Sequence, residues 1–161
     1  MDVPLAARLR AGVAVFNAGY YHAAHDAWDD HWLDLKSGTD DERFLHGLIQ
    51  FTAAVFHARN GNWSGATGLA ESGREYLAGL GVAYRGVDIA PVRDFLRTLA
   101  RDPEVIERGP PLALRHDGTR LLPTDLDFES TAIAATVLAE EHGYDEPMVE
   151  QAVTYARNDL N

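Results

Sequence analysis

Between His22 and His31 the chain carries three histidines and three aspartates, His22, His25, Asp26, Asp29, Asp30 and His31, in a stretch read as one helix. Residues three, four and seven apart share a helix face. At about 100° per residue, His22, His25, Asp26 and Asp29 fall within roughly a 100° arc. Imidazole and carboxylate one turn apart is an arrangement with which helical proteins hold first-row metals. A second polar stripe, His46, Gln50, Ala53 and His57, has the spacing of one face of the following helix. His25, Asp29 and His57 with a water would form an open site for zinc, manganese or iron. There Asp26 would serve as general base to an acidified water or support a ligand, and Gln50 would orient its neighbours. The same residues also make sense without metal. A buried His beside an Asp satisfies both groups, and such networks fix the register of packed helices.

Other polar and aromatic residues read first as structural. His22 and His31 are placed at the edge of the helix, His116 in a turn, and His142 near a helix end. Trp28, Trp32, Trp63, Phe16, Phe51 and Phe56 recur at core spacing, with the lining of a ligand pocket as the alternative. Gly61-Asn62-Trp63-Ser64-Gly65 reads as a helix stop followed by a cap, and Asn17-x-Gly19 as a turn. There is no P-loop, dinucleotide fingerprint or nucleophile elbow. With no cysteine, thiolate chemistry and cysteine-held zinc are excluded.

These residues must be positioned by a mostly helical chain. Leu5–Val15, Tyr20–Leu35 and a segment from Thr39 to about Asn60 are expected helices, the third opened by a Thr39/Glu42 capping box. Asn62 is expected to cap Trp63–Leu80, whose Gly65, Gly68 and Gly73 suggest close packing of another helix. Asp88 is expected to cap a helix through Arg101, and a turn of helix follows to Arg108. Asp117-Gly118 between Leu112–Arg115 and Arg120–Leu122 predicts a small β-hairpin near 112–122. Two further helices are expected, from Asp127 or Ser130 to Glu141 and from Asp145 to Asn158.

The reading is a single all-α domain over 1–161, a bundle of about six helices, with a C-terminal hairpin and two helices (109–161) appended to the core. Twenty-five acidic residues against 14 basic ones give a net charge of −11, and every basic residue except Lys36 is arginine. That balance suits a hydrated surface in a high-salt cytoplasm, hence a halophilic protein, or else a moderately acidic protein from a GC-rich genome, and either way disfavours a nucleic-acid partner. No apolar run is long enough for a membrane span, and Met1–Pro4 does not begin a signal peptide. The chain is therefore expected in the cytoplasm, with homo-oligomerisation open.

Phe16-Asn17-x-Gly19-x-Tyr21-x-x-Ala24-His25-Asp26-x-x-Asp29-x-x-Trp32, then Gly47-Leu48-Ile49-Gln50, His57 and Gly61-Asn62-x-x-Gly65-Ala66, resembles a known family. It is the domain of unknown function family number 309, which is helical and of which some members are labelled predicted metal-dependent hydrolases. The resemblance runs over about 13–80 and implies a helical core and, through that label, a metal. Where the family usually has His-Glu-x-x-Glu, this chain has the shorter acids Asp26 and Asp29. Where the family usually has Gln before Gly47, it has His46, which either restores a metal ligand or is a tolerated replacement. Two functions follow as expectations. One is a metal-dependent hydrolase with His25, Asp29, His57 and His46 at the metal and Asp26 and Gln50 in the chemistry. The other is a non-catalytic helical scaffold or interaction module whose polar stripes are structural.

Overall fold

The computed structural model describes residues 5–32, 38–108 and 112–142. In chain order they form α1 (Leu5–Asn17), α2 (Tyr21–Trp32), α3 (Asp40–Arg59), α4 (Trp63–Leu77), β1 (Ala83–Tyr84), β2 (Val87–Asp88), α5 (Ala90–Arg101), β3 (Arg115–His116), β4 (Thr119–Arg120) and α6 (Phe128–His142). A 3-10 segment at Pro103–Arg108 follows α5, and a shorter one at Pro123–Asp125 precedes α6. The architecture is all-α with a small antiparallel sheet, as the sequence predicts. The expected end of the second helix near Leu35, the Pro110-Pro111 break and the expected helix at 145–158 lie outside the described residues. So do the side chains of His31, Trp32 and His142.

Local chemistry explains the starts of three helices. Thr39 Oγ1 accepts from the Glu42 backbone N–H at 3.2 Å, and the Glu42 carboxylate reaches back to the N–H of Gly38. Asn62 Oδ1 accepts from Gly65 N at 3.1 Å, and Asp127 Oδ1 from Ser130 N at 2.8 Å. Each side chain satisfies one of the donors that a helix start leaves unpaired. Asp88 does not do this. It pairs with Ala83 in the sheet, and α5 begins at Ala90 with no side-chain cap. The carbonyl of Val82 instead accepts from the N–H groups of Ile89 and Ala90, and Pro91 in the first turn has no N–H to satisfy.

Two helix contacts are set by absent side chains. A Cβ on Gly12 would overlap the indole of Trp28, which is fully buried between α1 and α2 with its N–H toward the Leu9 carbonyl at 3.4 Å. A Cβ on Gly73 would stand 3.3 Å from that of Gln50 and 3.4 Å from the Gly47 carbonyl, so α3 and α4 approach backbone to backbone. Of the three glycines expected to mark that approach, only Gly73 does. Gly65 meets its own cap, Asn62, and Gly68 faces open space.

The expected hairpin forms across Asp117-Gly118, both residues in the left-handed region (φ 51° and 80°) that a tight two-residue turn requires. A second hairpin, β1–β2 across Arg85-Gly86, is not predicted by the sequence and pairs with the first through Val87 and His116. The two turns touch. Asp117 N–H donates to the Gly86 carbonyl at 2.7 Å, and a Cβ on Gly86 would stand 2.5 Å from the Asp117 carboxylate.

The described residues of the C-terminal part pack into the core. Helix α6 packs on both α1 and α2, and Leu114, Leu121, Leu126, Ala134 and Leu138 belong to the same apolar cluster as Leu9, Phe16 and Trp28. Asn17 joins the two parts. Its amide N–H groups donate to the carbonyls of Leu114 and Leu121 at 2.8 and 2.7 Å, and its Oδ1 accepts from Leu114 N at 2.7 Å. What reads as a turn residue is thus a clamp on the hairpin.

Candidate functional site

Helices α2 and α3 lie against each other, and a pocket of about 240 Å³ opens between them. Tyr21, His22 and His25 line it from α2, and Thr52, Ala53, Phe56 and His57 from α3. Two of the expected metal ligands, His25 and His57, are therefore brought to one cavity. His22, assigned to the edge in the sequence, joins them as a rim residue with a side chain 58% exposed. The signal for it was present, since His22 shares the arc of His25 and Asp26.

Asp26 organises the two α2 imidazoles. Nδ1 of His22 and Nδ1 of His25 each lie 3.5 Å from one of its carboxylate oxygens. The two rings are nearly parallel, 16° apart in plane and 6.0 Å between centroids. With Nδ1 toward the carboxylate, the Nε2 edge of each ring lies on its opposite side. Asp26 also borders a second cavity of about 390 Å³ with Arg8 of α1 and Ile133, Val137 and Glu140 of α6.

His57 is oriented differently. Asn62 Nδ2 lies 3.2 Å from its Nδ1. The Asn62 amide cannot turn over without cost, because its Oδ1 is held by Gly65 N–H as the cap of α4. The amide is therefore turned to donate to Nδ1, which in the neutral ring favours the tautomer with its proton on Nε2.

The remaining candidates stand elsewhere. Asp29, half-buried on α2, is not among the residues lining this pocket. His46 lies eleven residues before His57, about 16 Å along the axis of α3 at 1.5 Å per residue. It stacks on Tyr76 of α4 with 3.8 Å between centroids, and its Nε2 lies 3.0 Å from the Gln50 amide nitrogen. Burial disfavours its charged form and holds its pKa below the ordinary imidazole value, with Glu42 opposing. The Oε1 of Gln50 is buried with no protein partner. His46 and Gln50 are thus brought together with each other at the α3–α4 contact, away from His25 and His57. Among the described residues no group of three or more His, Asp or Glu side chains is arranged to hold a metal ion.

The aromatic residues divide between core and pocket. Phe16, Trp28 and Phe51 are buried and Trp63 is half-buried, whereas Phe56 is 38% exposed and forms part of the pocket wall. An adjoining cavity of about 410 Å³ shares Tyr21, His22 and Phe56 and reaches Arg59. The Arg59 guanidinium lies 5.5 Å from the centre of the Tyr21 ring. Burial raises the pKa of the Tyr21 hydroxyl, with Arg59 working against it.

Among the described residues no helix is long and apolar enough to cross a membrane. The model of a family described as a domain of unknown function (DUF309) matches residues 9–69, from α1 into α4, and so covers both walls of the pocket. The resemblance carried by the sequence motifs is upheld by this match. No curated protein matches the chain.

Proposed function

We propose that this chain is a non-catalytic helical binding module whose working part is the α2–α3 pocket. The observation that carries the reading is the hydrogen bond from Asn62 to His57. A metal-bound imidazole needs a lone pair on the nitrogen it offers, and a His that ligates through Nε2 normally keeps its proton on Nδ1 as a donor. The Asn62 amide favours the reverse arrangement at His57, and its own orientation is held by the cap of α4. Spacing supports the same view. The expected ligands are dispersed: Asp29 is not among the residues lining the pocket, and His46 lies about 16 Å from His57 along α3. Both observations support a pocket that works without a metal. The other motif residues serve the fold: Asn17 clamps the hairpin, Asn62 caps α4, and His46 and Gln50 pair beside Tyr76.

A metal-dependent hydrolase is the second reading, with His25, Asp29, His57 and His46 as ligands and Asp26 and Gln50 in the chemistry. What favours it is that His25 and His57 line one cavity. The metal content of the untagged full chain, with the unfolding midpoint in added zinc or manganese, decides between the two. The binding-module reading expects no stoichiometric metal and no rise in midpoint. A stoichiometric metal that His57→Gln removes would overturn it and favour the metal-dependent reading.

A cytoplasmic location, the absence of a nucleic-acid partner and self-association complete the proposal. The net charge of −11 supports the second of these, since a phosphate backbone would be repelled.

A further inference from the structure

We propose that the β3–β4 hairpin is a proton-operated latch, hinged on α1 at Asn17 and closed onto α1 by a hydrogen bond from Arg10 to His116. Acid exchanges that bond for the pairs His116–Asp117 and Arg10–Asp127. None of these residues lines the α2–α3 pocket, so the latch goes beyond the binding-module reading and does not rest on it. Arg10 and Asn17 stand seven positions apart on α1, two turns, and so share a face. Asn17 holds the open end of the hairpin at Leu114 and Leu121 through amide bonds that do not titrate. Arg10 holds the turn end, where its Nη1 lies 3.4 Å from Nδ1 of His116.

One ring nitrogen faces two partners. A guanidinium can only donate, so Nδ1 accepts from Arg10 in the neutral ring, which favours the proton on Nε2. An Asp117 carboxylate oxygen also lies 3.4 Å from Nδ1. A proton added there turns the nitrogen into a donor, which Asp117 can accept and Arg10 cannot. The same proton sets two cations 3.4 Å apart, at a ring whose side chain is 12% exposed. Arg10 has a second partner within reach. Its Nε is buried without a hydrogen bond among the described residues and stands 4.0 Å from Asp127 Oδ2.

The charged and polar groups around the ring set the direction of the response. Burial and Arg10 oppose the charged imidazole, while Asp117 and a hydrogen bond to the Arg85 backbone favour it, and the balance leaves its pKa below the ordinary value. The Arg85 guanidinium is engaged by Asp41, and Asp127 acts through Arg10. A released His116 takes up a proton more readily than a latched one. Opening therefore grows as pH falls below about 6.5.

Nitrogen-15 NMR of the full chain, titrated from about pH 8 to about pH 4.5, tests this. Neutral His116 should carry its proton on Nε2 and titrate below about 6.5, and the Arg10 Nε signal should shift with the same midpoint. The open population, read from relaxation dispersion at the backbone amides of 115–120, should rise at least about fivefold between pH 7 and pH 5. The Leu114 amide at the hinge should stay unchanged. Asp117→Asn, which suits the left-handed turn position, should lower the His116 midpoint by about half a unit or more, and Arg10→Gln should raise it by a similar amount. A neutral ring protonated on Nδ1, an Arg10 signal that ignores the titration, or an acid-induced opening that persists in His116→Gln would overturn the latch. The first two outcomes need only the unaltered chain, so a variant that fails to fold leaves the test standing.

Discussion

Asn17, the last residue of α1, and Leu114, ninety-seven positions later, exchange a pair of hydrogen bonds: amide to carbonyl at 2.8 Å and backbone N–H to Oδ1 at 2.7 Å. A third bond from the same amide reaches the Leu121 carbonyl, so one side chain holds both arms of the β3–β4 hairpin. Leu114 and Leu121 are thereby kept in the apolar cluster with Phe16.

Asn17→Ala should leave these three backbone groups without partners, costing on the order of 3 kcal/mol. Asn17→Asp would keep the acceptor but aim a carboxylate at two carbonyls, and it should not restore stability. Urea unfolding checks this. The midpoint should fall in both variants with the slope unchanged.

Truncation after residue 108 should not leave a folded helical core. It would remove α6 and strip cover from α1 and α2, which include Leu9, Ala24 and Trp28. Near-ultraviolet circular dichroism should lose its tryptophan signal, and the apolar dye ANS should bind. A truncated chain with native near-ultraviolet bands would contradict this account.

Stability should fall as pH drops below about 6.5, the imidazole value in an unfolded chain. Burial lowers the pKa of both His46 and His116, and Arg10 lowers that of His116 further against the pull of Asp117. The unfolded chain then binds protons that the folded chain refuses, so stability is full above that pH and declines toward the lowered folded values. His116→Gln should make the decline between pH 7 and pH 5 shallower. A second loss should follow below about pH 3.8, where Asp41, held low by Arg85, and Asp127, held low by the Ser130 N–H, take up protons.

Molar KCl should raise the thermal midpoint. A net charge of −11 repels itself in dilute buffer, and at 1 M salt the Debye length shortens to about 3 Å. A midpoint that stays level or falls would remove the halophilic reading. The exposed Asp41–Arg85 pair, bonded at 2.7 Å through both carboxylate oxygens, works in the opposite direction, because salt weakens it.

Whatever depends on neighbours within a few residues is legible in the amino-acid order. Helical periodicity, the Thr39 and Asn62 caps and the Asp117-Gly118 turn are all written in local spacing, since capping and turn bonds close within three or four positions. Membership of His22, His25 and Asp26 in one face is equally legible, because 3.6 residues per turn fixes it. Where each face points is a matter of packing. His46 and His57 share a stripe, yet the first meets Tyr76 on α4 and its own neighbour Gln50, while the second opens to α2. The length of α3 separates them, and no spacing rule says which neighbour each end meets. Asp88 has the look of a cap, but the Val82 carbonyl takes the N–H groups it would have served, and Arg85-Gly86 is a weaker turn signal than Asp-Gly. The tautomer of His57 depends on an Asn62 amide already held by Gly65, and the role of Asn17 on backbone groups about a hundred positions away. Such partners are chosen by packing of the whole chain, because a buried polar group must find its hydrogen bond wherever the fold supplies one.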